Sequence, residues 1–158
     1  MRRVAMLGLA WGLGCGDPKL LPCEERDDEA VELPRVPLVV AGEEISAEVA
    51  DTESERATAW AGRTCELGGL VWVPEAVGPA AVTLCEVEIA VDLAFVRDGE
   101  VVALELDQAP CSSECEQCPR HGVGGPAVDA VVWLPAGEVE VAVGDAIEGL
   151  DAVALPSM

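Results

Sequence analysis

Val91-Asp92-Leu93-Ala94-Phe95-Val96-Arg97-Asp98-Gly99-Glu100-Val101-Val102-Ala103-Leu104-Glu105-Leu106 decides how the chain is built. Two β-prone runs flank Asp98-Gly99, a dipeptide that tolerates the positive φ angles of a two-residue hairpin turn. Before the turn, Val91, Leu93 and Phe95 alternate with Asp92 and Ala94. After it, Val102, Leu104 and Leu106 alternate with Ala103 and Glu105, so each strand is expected to offer one apolar face to a core. The reading is a central β-hairpin.

Outward from the hairpin, short segments and frequent punctuation continue the β pattern. Leu38–Val40 and Ile45–Val49 read as strands on either side of Gly42. Thr52 with Glu55 three residues on forms a capping box, which opens a short helix that Gly62 should close. Leu70–Val73 is a strand stopped by Pro74, and Gly78-Pro79 reads as a turn. Ala81 to Ile89 alternates loosely and should pair nearby. After a loop from Asp107 to Pro126, Ala127–Leu134 returns as a strand ending at Pro135. A short element over Glu138–Val143 and a last strand near Ala146-Ile147 complete the domain. Many short strands and one small helix predict a mainly-β sandwich or barrel.

The bulk numbers narrow the function classes. With 158 residues the chain can build one core. Thirty acidic residues against nine basic ones give a net charge of −21. Nucleic acid and anionic lipid both need Lys and Arg to displace their counterions, so a nucleic-acid partner is excluded. The acids are spread along the chain, which fits solubility or a salty habitat better than a dedicated cation-binding surface.

The N-terminus reads as an address. Arg2-Arg3, the apolar run Val4 to Leu13, and Gly14-Cys15 form a charged region, a short hydrophobic region and a cut site. The run is shorter than the roughly 20 apolar residues that cross a bilayer. The cysteine after a small residue resembles the lipobox of bacterial lipoproteins, whose cysteine is acylated and becomes the new N-terminus. Gly12 stands where that motif prefers Leu. The expected order is a signal peptide over 1–14, an acidic, Pro-containing tether over 15–37, a β-rich domain over 38–150 and a tail over 151–158. The location is then a membrane-anchored lipoprotein of the cell envelope, with a secreted or periplasmic protein as the alternative.

Six cysteines remain beyond Cys15: Cys23, Cys65, Cys85, Cys111, Cys115 and Cys118. An even number in an exported chain reads as disulfides. Cys111 with Cys118 is the expected loop pair, because a long loop without its own core gains order from a clip. The spacing Cys111-x3-Cys115-x2-Cys118-x2-His121 also supplies four soft ligands, so a zinc site is the competing reading. The same cysteine spacing occurs in radical enzymes that use S-adenosylmethionine, but the large barrel they need does not fit into the 40 residues after Cys118. His121 is the only histidine. Sequence neighbours in a Gly-rich loop rarely bring a nucleophile together with a base, an orienting group and an oxyanion hole, so His121 reads as a solvent-exposed loop histidine. No Gly-rich phosphate loop precedes a helix and lysine.

Several segments together resemble a family known as domain of unknown function 192. Ala50-Asp51-Thr52-Glu53-Ser54-Glu55-Arg56 followed by Gly62-Arg63 looks like its opening signature, and Gly69-Leu70-Val71-Trp72-Val73-Pro74 is similar to its next strand. Ile89 to Val96, then Asp98-Gly99 and Val101-Val102, resembles its most recognisable segment. Cys118-Pro119, Leu134-Pro135-Ala136-Gly137 and Val143-Gly144-Asp145 also fit. The likeness covers about Ile45 to Ile147, and implies a compact jelly-roll type of β fold, often exported, with no established activity. The family's usual Met-Lys-Asn-Thr stretch is replaced here by Leu84-Cys85-Glu86-Val87. Asp92 and Arg63 are the family's polar positions that remain, and they form the candidate polar site. Each has a structural alternative, as a turn-bonding carboxylate and a structural arginine.

These readings predict an uncharacterised cell-envelope lipoprotein with a small, non-enzymatic β-rich binding or structural domain. Its partners would be the lipid membrane, through acylated Cys15, and an envelope partner or small ligand. No cofactor is expected. The alternative is a zinc-binding protein using Cys111, Cys115, Cys118 and His121.

Overall fold

A computed structural model of the chain describes residues 33–63, 67–111 and 114–157. The signal segment, Cys15, Cys23, most of the acidic tether and Cys65 lie outside the described residues. Strands β1 (Arg35–Val40) and β2 (Glu43–Ala50) form a hairpin. Its turn, Ala41-Gly42, has both residues at positive φ. β1 thus begins inside the span read as tether, and Leu33 ahead of it is already buried. Pro37 is tolerated within β1 because the strand on its far side reaches only Val39 and Val40, leaving an edge there.

Helix α1 (Glu53–Thr58) starts on the expected capping box. The Glu55 amide donates to Thr52 Oγ1 at 3.3 Å, and the Thr52 amide donates back to Glu55 Oε2 at 3.0 Å. Hydrogen bonds from Thr52 hold the Glu55 carboxyl below its ordinary pKa. The helix ends four residues before Gly62, because the chain turns at Ala59 (φ 38°) to bury Trp60 completely. It connects β2 to β3 (Gly69–Trp72), which run parallel. Gly68 permits that approach: a Cβ there would lie 2.6 Å from the Ser46 carbonyl oxygen.

The central hairpin is β6 (Val91–Arg97) and β7 (Glu100–Gln108), turned at Asp98 (φ 50°) and Gly99 (φ 77°). β10 (Ala130–Pro135) lies beside β6, and β11 (Ile147–Glu148) lies beside β1. The sheet order is β11-β1-β2-β3-β10-β6-β7. Its two edges meet through one segment. Ala146 bridges Glu100, the Ile147 amide donates to the Gly99 carbonyl at 2.8 Å, and the Gly144 amide donates to the Val101 carbonyl at 2.8 Å. Among the described residues the result is a curled seven-stranded sheet with one short α-helix, in the expected mainly-β class.

The curl creates two cores. One draws on strands across the whole sheet, through Leu38, Val49, Val71, Val96, Val132 and Ile147, and lies inside the curl. Leu70, Leu93, Phe95, Val131 and Trp133 project to the outer face. Trp60 covers that face together with two small ribbons, β4 (Gly78–Pro79) with β9 (Ala127–Val128), and β5 (Val82–Thr83) with β8 (Arg120–His121). All of Val91 to Val96 is therefore buried, not one face of it. Past the expected domain end, Val153 is buried in the inner core and Leu155 packs against it.

Several expectations fail locally, each for a physical reason. β7 carries two register shifts against β6, so Val102 packs on the outer core while Leu104 packs on the inner one, and Leu106 is exposed. A bulge resets the two-residue alternation. Gly78-Pro79 is a ribbon strand, not a turn. β5 pairs with the distant β8 instead of a nearby segment. Glu138–Val143 forms turns, although Val139 and Val141 are buried.

Candidate functional site

Arg63 and Asp92, the two polar positions carried by the family resemblance, are brought to different places. Arg63 follows α1 and reaches β2, where its Nη1 donates to both carboxylate oxygens of Glu48 at 2.6 and 2.7 Å. Glu48 is 2% exposed and Arg63 7%. Trp60 Nε1 donates to Glu48 Oε2 at 3.0 Å, and Arg35 Nη2 lies 3.4 Å from Glu48 Oε1. A carboxylate this deep is sustained only by such a shell of donors. Its location pins the segment after α1 to β2. Sequence reasoning missed Glu48 and Trp60, because nothing local marks a pairing across 15 positions.

Asp92 serves the backbone. Its Oδ1 accepts from the Asp107 amide at 2.7 Å and its Oδ2 from the Gly137 amide at 2.9 Å. Asp107 is in a left-handed conformation (φ 52°) at the second register shift of β7. The buried carboxylate thus holds a bulge on one side and the turn after β10 on the other. Asp129 does similar work, accepting from the Asp98 amide of the central turn at 2.8 Å. Asp92→Asn keeps one acceptor but loses the charge and the second acceptor. It is expected to lower the unfolding free energy by about 1–3 kcal/mol in urea titration. A change below about 0.5 kcal/mol, the level of an ordinary surface substitution, would contradict this role.

The cysteine loop is held by two disulfides. Cys111 bonds Cys118, as expected, with Cα atoms 5.8 Å apart. Cys115 bonds Cys85 across 30 residues, with Cα atoms 5.1 Å apart. This corrects the zinc reading: all three loop sulfurs are engaged in disulfides, and His121 turns to an acid instead. His121 Nδ1 lies 2.8 Å from Glu105 Oε2, and the Gly122 amide donates to Glu105 Oε1 at 2.7 Å. The His121 side chain is 10% exposed, so it is a packed ribbon residue and not an exposed loop histidine. The loop is also more ordered than its composition implies, with a 3₁₀ turn at Cys115–Gln117 and β8 beyond it.

Between the end of α1 and the β5–β8 ribbon lies a cavity of about 250 Å³. Trp72 and Trp133 form part of its wall, with Arg56 and Arg120 also lining it. Arg56 is fixed: its guanidinium donates to the Asp51 and Val73 carbonyls and to Glu75, and stands 6.0 Å from the Trp72 ring centroid. Trp133 is buried, packed edge-on against Trp60 at 6.1 Å between centroids.

Comparison with known proteins places this geometry. The profile of domain of unknown function 192 (DUF192), described as uncharacterized ACR, matches residues 36–149. The chain belongs to the DUF192 family. No curated protein matches it. Two solved structures share the fold of this DUF192 domain. A candidate transcription regulator from Sinorhizobium meliloti 1021 is 22% identical, with a TM-score of 0.62, covering 76% of this chain and 97% of that one. A protein of unknown function from Novosphingobium aromaticivorans DSM 12444 is 21% identical, with a TM-score of 0.58, covering 77% and 89%.

The stretch where this DUF192 member departs from the family pattern, Leu84-Cys85-Glu86-Val87, is tied into the loop. Cys111 bridges Cys85 through backbone hydrogen bonds: the Cys111 amide donates to the Leu84 carbonyl, and the Glu86 amide donates to the Cys111 carbonyl, both at 3.2 Å. Glu86 adopts a left-handed conformation (φ 59°) between them. A covalent anchor therefore stands in this stretch.

Proposed function

We propose that the protein is an exported, lipid-anchored cell-envelope protein whose DUF192 domain acts as a non-enzymatic binding or structural module. The observation that carries the reading is the pair of disulfides, Cys85–Cys115 and Cys111–Cys118. Disulfides persist in oxidising compartments and are rare in the cytosol. The signal architecture over Met1–Gly14 and the following Cys15 supply the route and the anchor. Among the described residues no group of three or more His, Cys, Asp or Glu side chains is placed to hold a metal ion. The regulator description of the Sinorhizobium neighbour stays with that protein, since a net charge of −21 opposes contact with phosphate backbones.

Radiolabelled palmitate fed to cells producing the full chain tests the anchor. Label is expected in the wild-type protein and absent from Cys15→Ala. Undiminished label in the variant would remove the lipoprotein assignment. A reproducible turnover abolished by one point substitution would remove the non-enzymatic one.

A further inference from the structure

The two disulfides differ in what a thiol can reach. Cys111 and Cys118 are buried, at 9% and 6% exposed, so their bond is shielded by the loop. Cys115 is exposed and Cys85 half-buried. Thiol–disulfide exchange requires a thiolate to reach one of the two sulfurs, so access decides which bond reacts first. Of the two bonds, Cys85–Cys115 offers that access.

The two ends of this bond also sit in opposite electrostatic surroundings. Glu114 and Glu116, both exposed, flank Cys115. Cys85 lines the cavity beside α1, whose described lining includes Arg56 and Arg120 and no Asp or Glu. Arg56 is paired with Glu75, whereas Arg120 forms no ion pair among the described residues. A thiolate leaves more readily where positive charge stabilises it. Attack at Cys115 expels the electron pair onto Cys85, on the arginine side. Attack at Cys85 would expel it onto Cys115, between two carboxylates.

We propose that Cys85–Cys115 is a thiol–disulfide exchange site, opened by the dithiol of an envelope partner while Cys111–Cys118 stays closed. One partner thiolate attacks Cys115 Sγ, forming a mixed disulfide and releasing Cys85 as the thiolate. The partner's second thiol attacks its own sulfur in the mixed disulfide, closes the partner's disulfide and releases Cys115. The partner is oxidised by two electrons, and its two thiol protons end on Cys85 and Cys115. Each molecule reacts once, so the exchange is a switch and not a turnover. It unties the end of β5 from the turn before β8, and leaves the Cys111–Cys118 clip in place. The site rests on the envelope reading, which supplies its oxidised starting state.

The test is a reduction time course on the oxidised full-length protein, recovered from membranes in a neutral detergent and kept folded. Dithiothreitol serves as a neutral dithiol, since the acids beside Cys115 repel anionic thiols. Samples are acid-quenched, alkylated and cut by a glutamate-specific protease, which separates the four cysteines at Glu86, Glu114 and Glu116. Alkyl groups at Cys85 and Cys115 are expected first, with Cys111–Cys118 still linked and opening at least about tenfold more slowly. A parallel reaction with 2-mercaptoethanol should place the thiol adduct on Cys115 and the alkyl group on Cys85. Equal rates for the two bonds, earlier opening of Cys111–Cys118, alkylation of any other pair among the four, or an adduct on Cys85 would each overturn the assignment. Those outcomes leave palmitate labelling untouched, so failure of the exchange site is separable from failure of the envelope reading.

Discussion

Arg63→Ala is expected to lower the unfolding free energy by about 3–5 kcal/mol, because it strands the Glu48 carboxylate, 2% exposed, without its main counter-charge. At this chain length that corresponds to a fall in Tm on the order of 10 °C. What remains around Glu48 is Trp60 Nε1 at 3.0 Å and the half-exposed Arg35 at 3.4 Å. Neither replaces a guanidinium nitrogen that contacts both oxygens. The paired change Glu48→Gln with Arg63→Met should recover much of the loss, since a neutral acceptor still serves Trp60 and no charge stays buried. Urea unfolding of the oxidised protein measures both variants. A cost below about 1 kcal/mol for Arg63→Ala would show that the pair behaves like an exposed one, and would contradict its role in fixing the segment after α1.

Removing the long disulfide should matter more than removing the short one. By the loop-entropy relation, the Cys85–Cys115 link across 30 residues restrains the unfolded chain by about 3.5 kcal/mol, and Cys111–Cys118 across seven by about 2 kcal/mol. The native state also favours the long link as the more consequential. Cys85 follows β5 and Cys115 precedes β8, so that bond holds the ribbon which covers part of the outer core. Cys85→Ser with Cys115→Ser is therefore expected to shift the urea midpoint further than Cys111→Ser with Cys118→Ser. The reverse order would contradict the pairing.

What the sequence made legible was local. Asp98-Gly99 names its turn because only certain residues take positive φ cheaply, and both do so. Thr52 and Glu55 find each other three positions apart, and Cys111 and Cys118 seven apart. What escaped was set by closure of the sheet. Glu48 meets Arg63, Asp129 caps the Asp98 amide from 31 positions away, and Glu100 meets Ala146 only once the edges curl together. No periodicity encodes those meetings. The two bulges of β7 had the same effect in miniature, turning Leu106 outward against a clean alternation. The cavity was invisible for a related reason: Arg56, Arg120 and Trp133 belong to three separate elements, and each looks ordinary alone.

Intact-mass and peptide mapping of the full chain, recovered from the membranes of producing cells and alkylated without reduction, bears most directly on an exported, disulfide-held, lipid-anchored domain. The expected result is a diacyl or triacyl mass increment on Cys15, with linked peptides Cys85–Cys115 and Cys111–Cys118 and no alkyl label on those four residues. An unacylated chain carrying alkyl groups at Cys85, Cys111, Cys115 and Cys118 would contradict it.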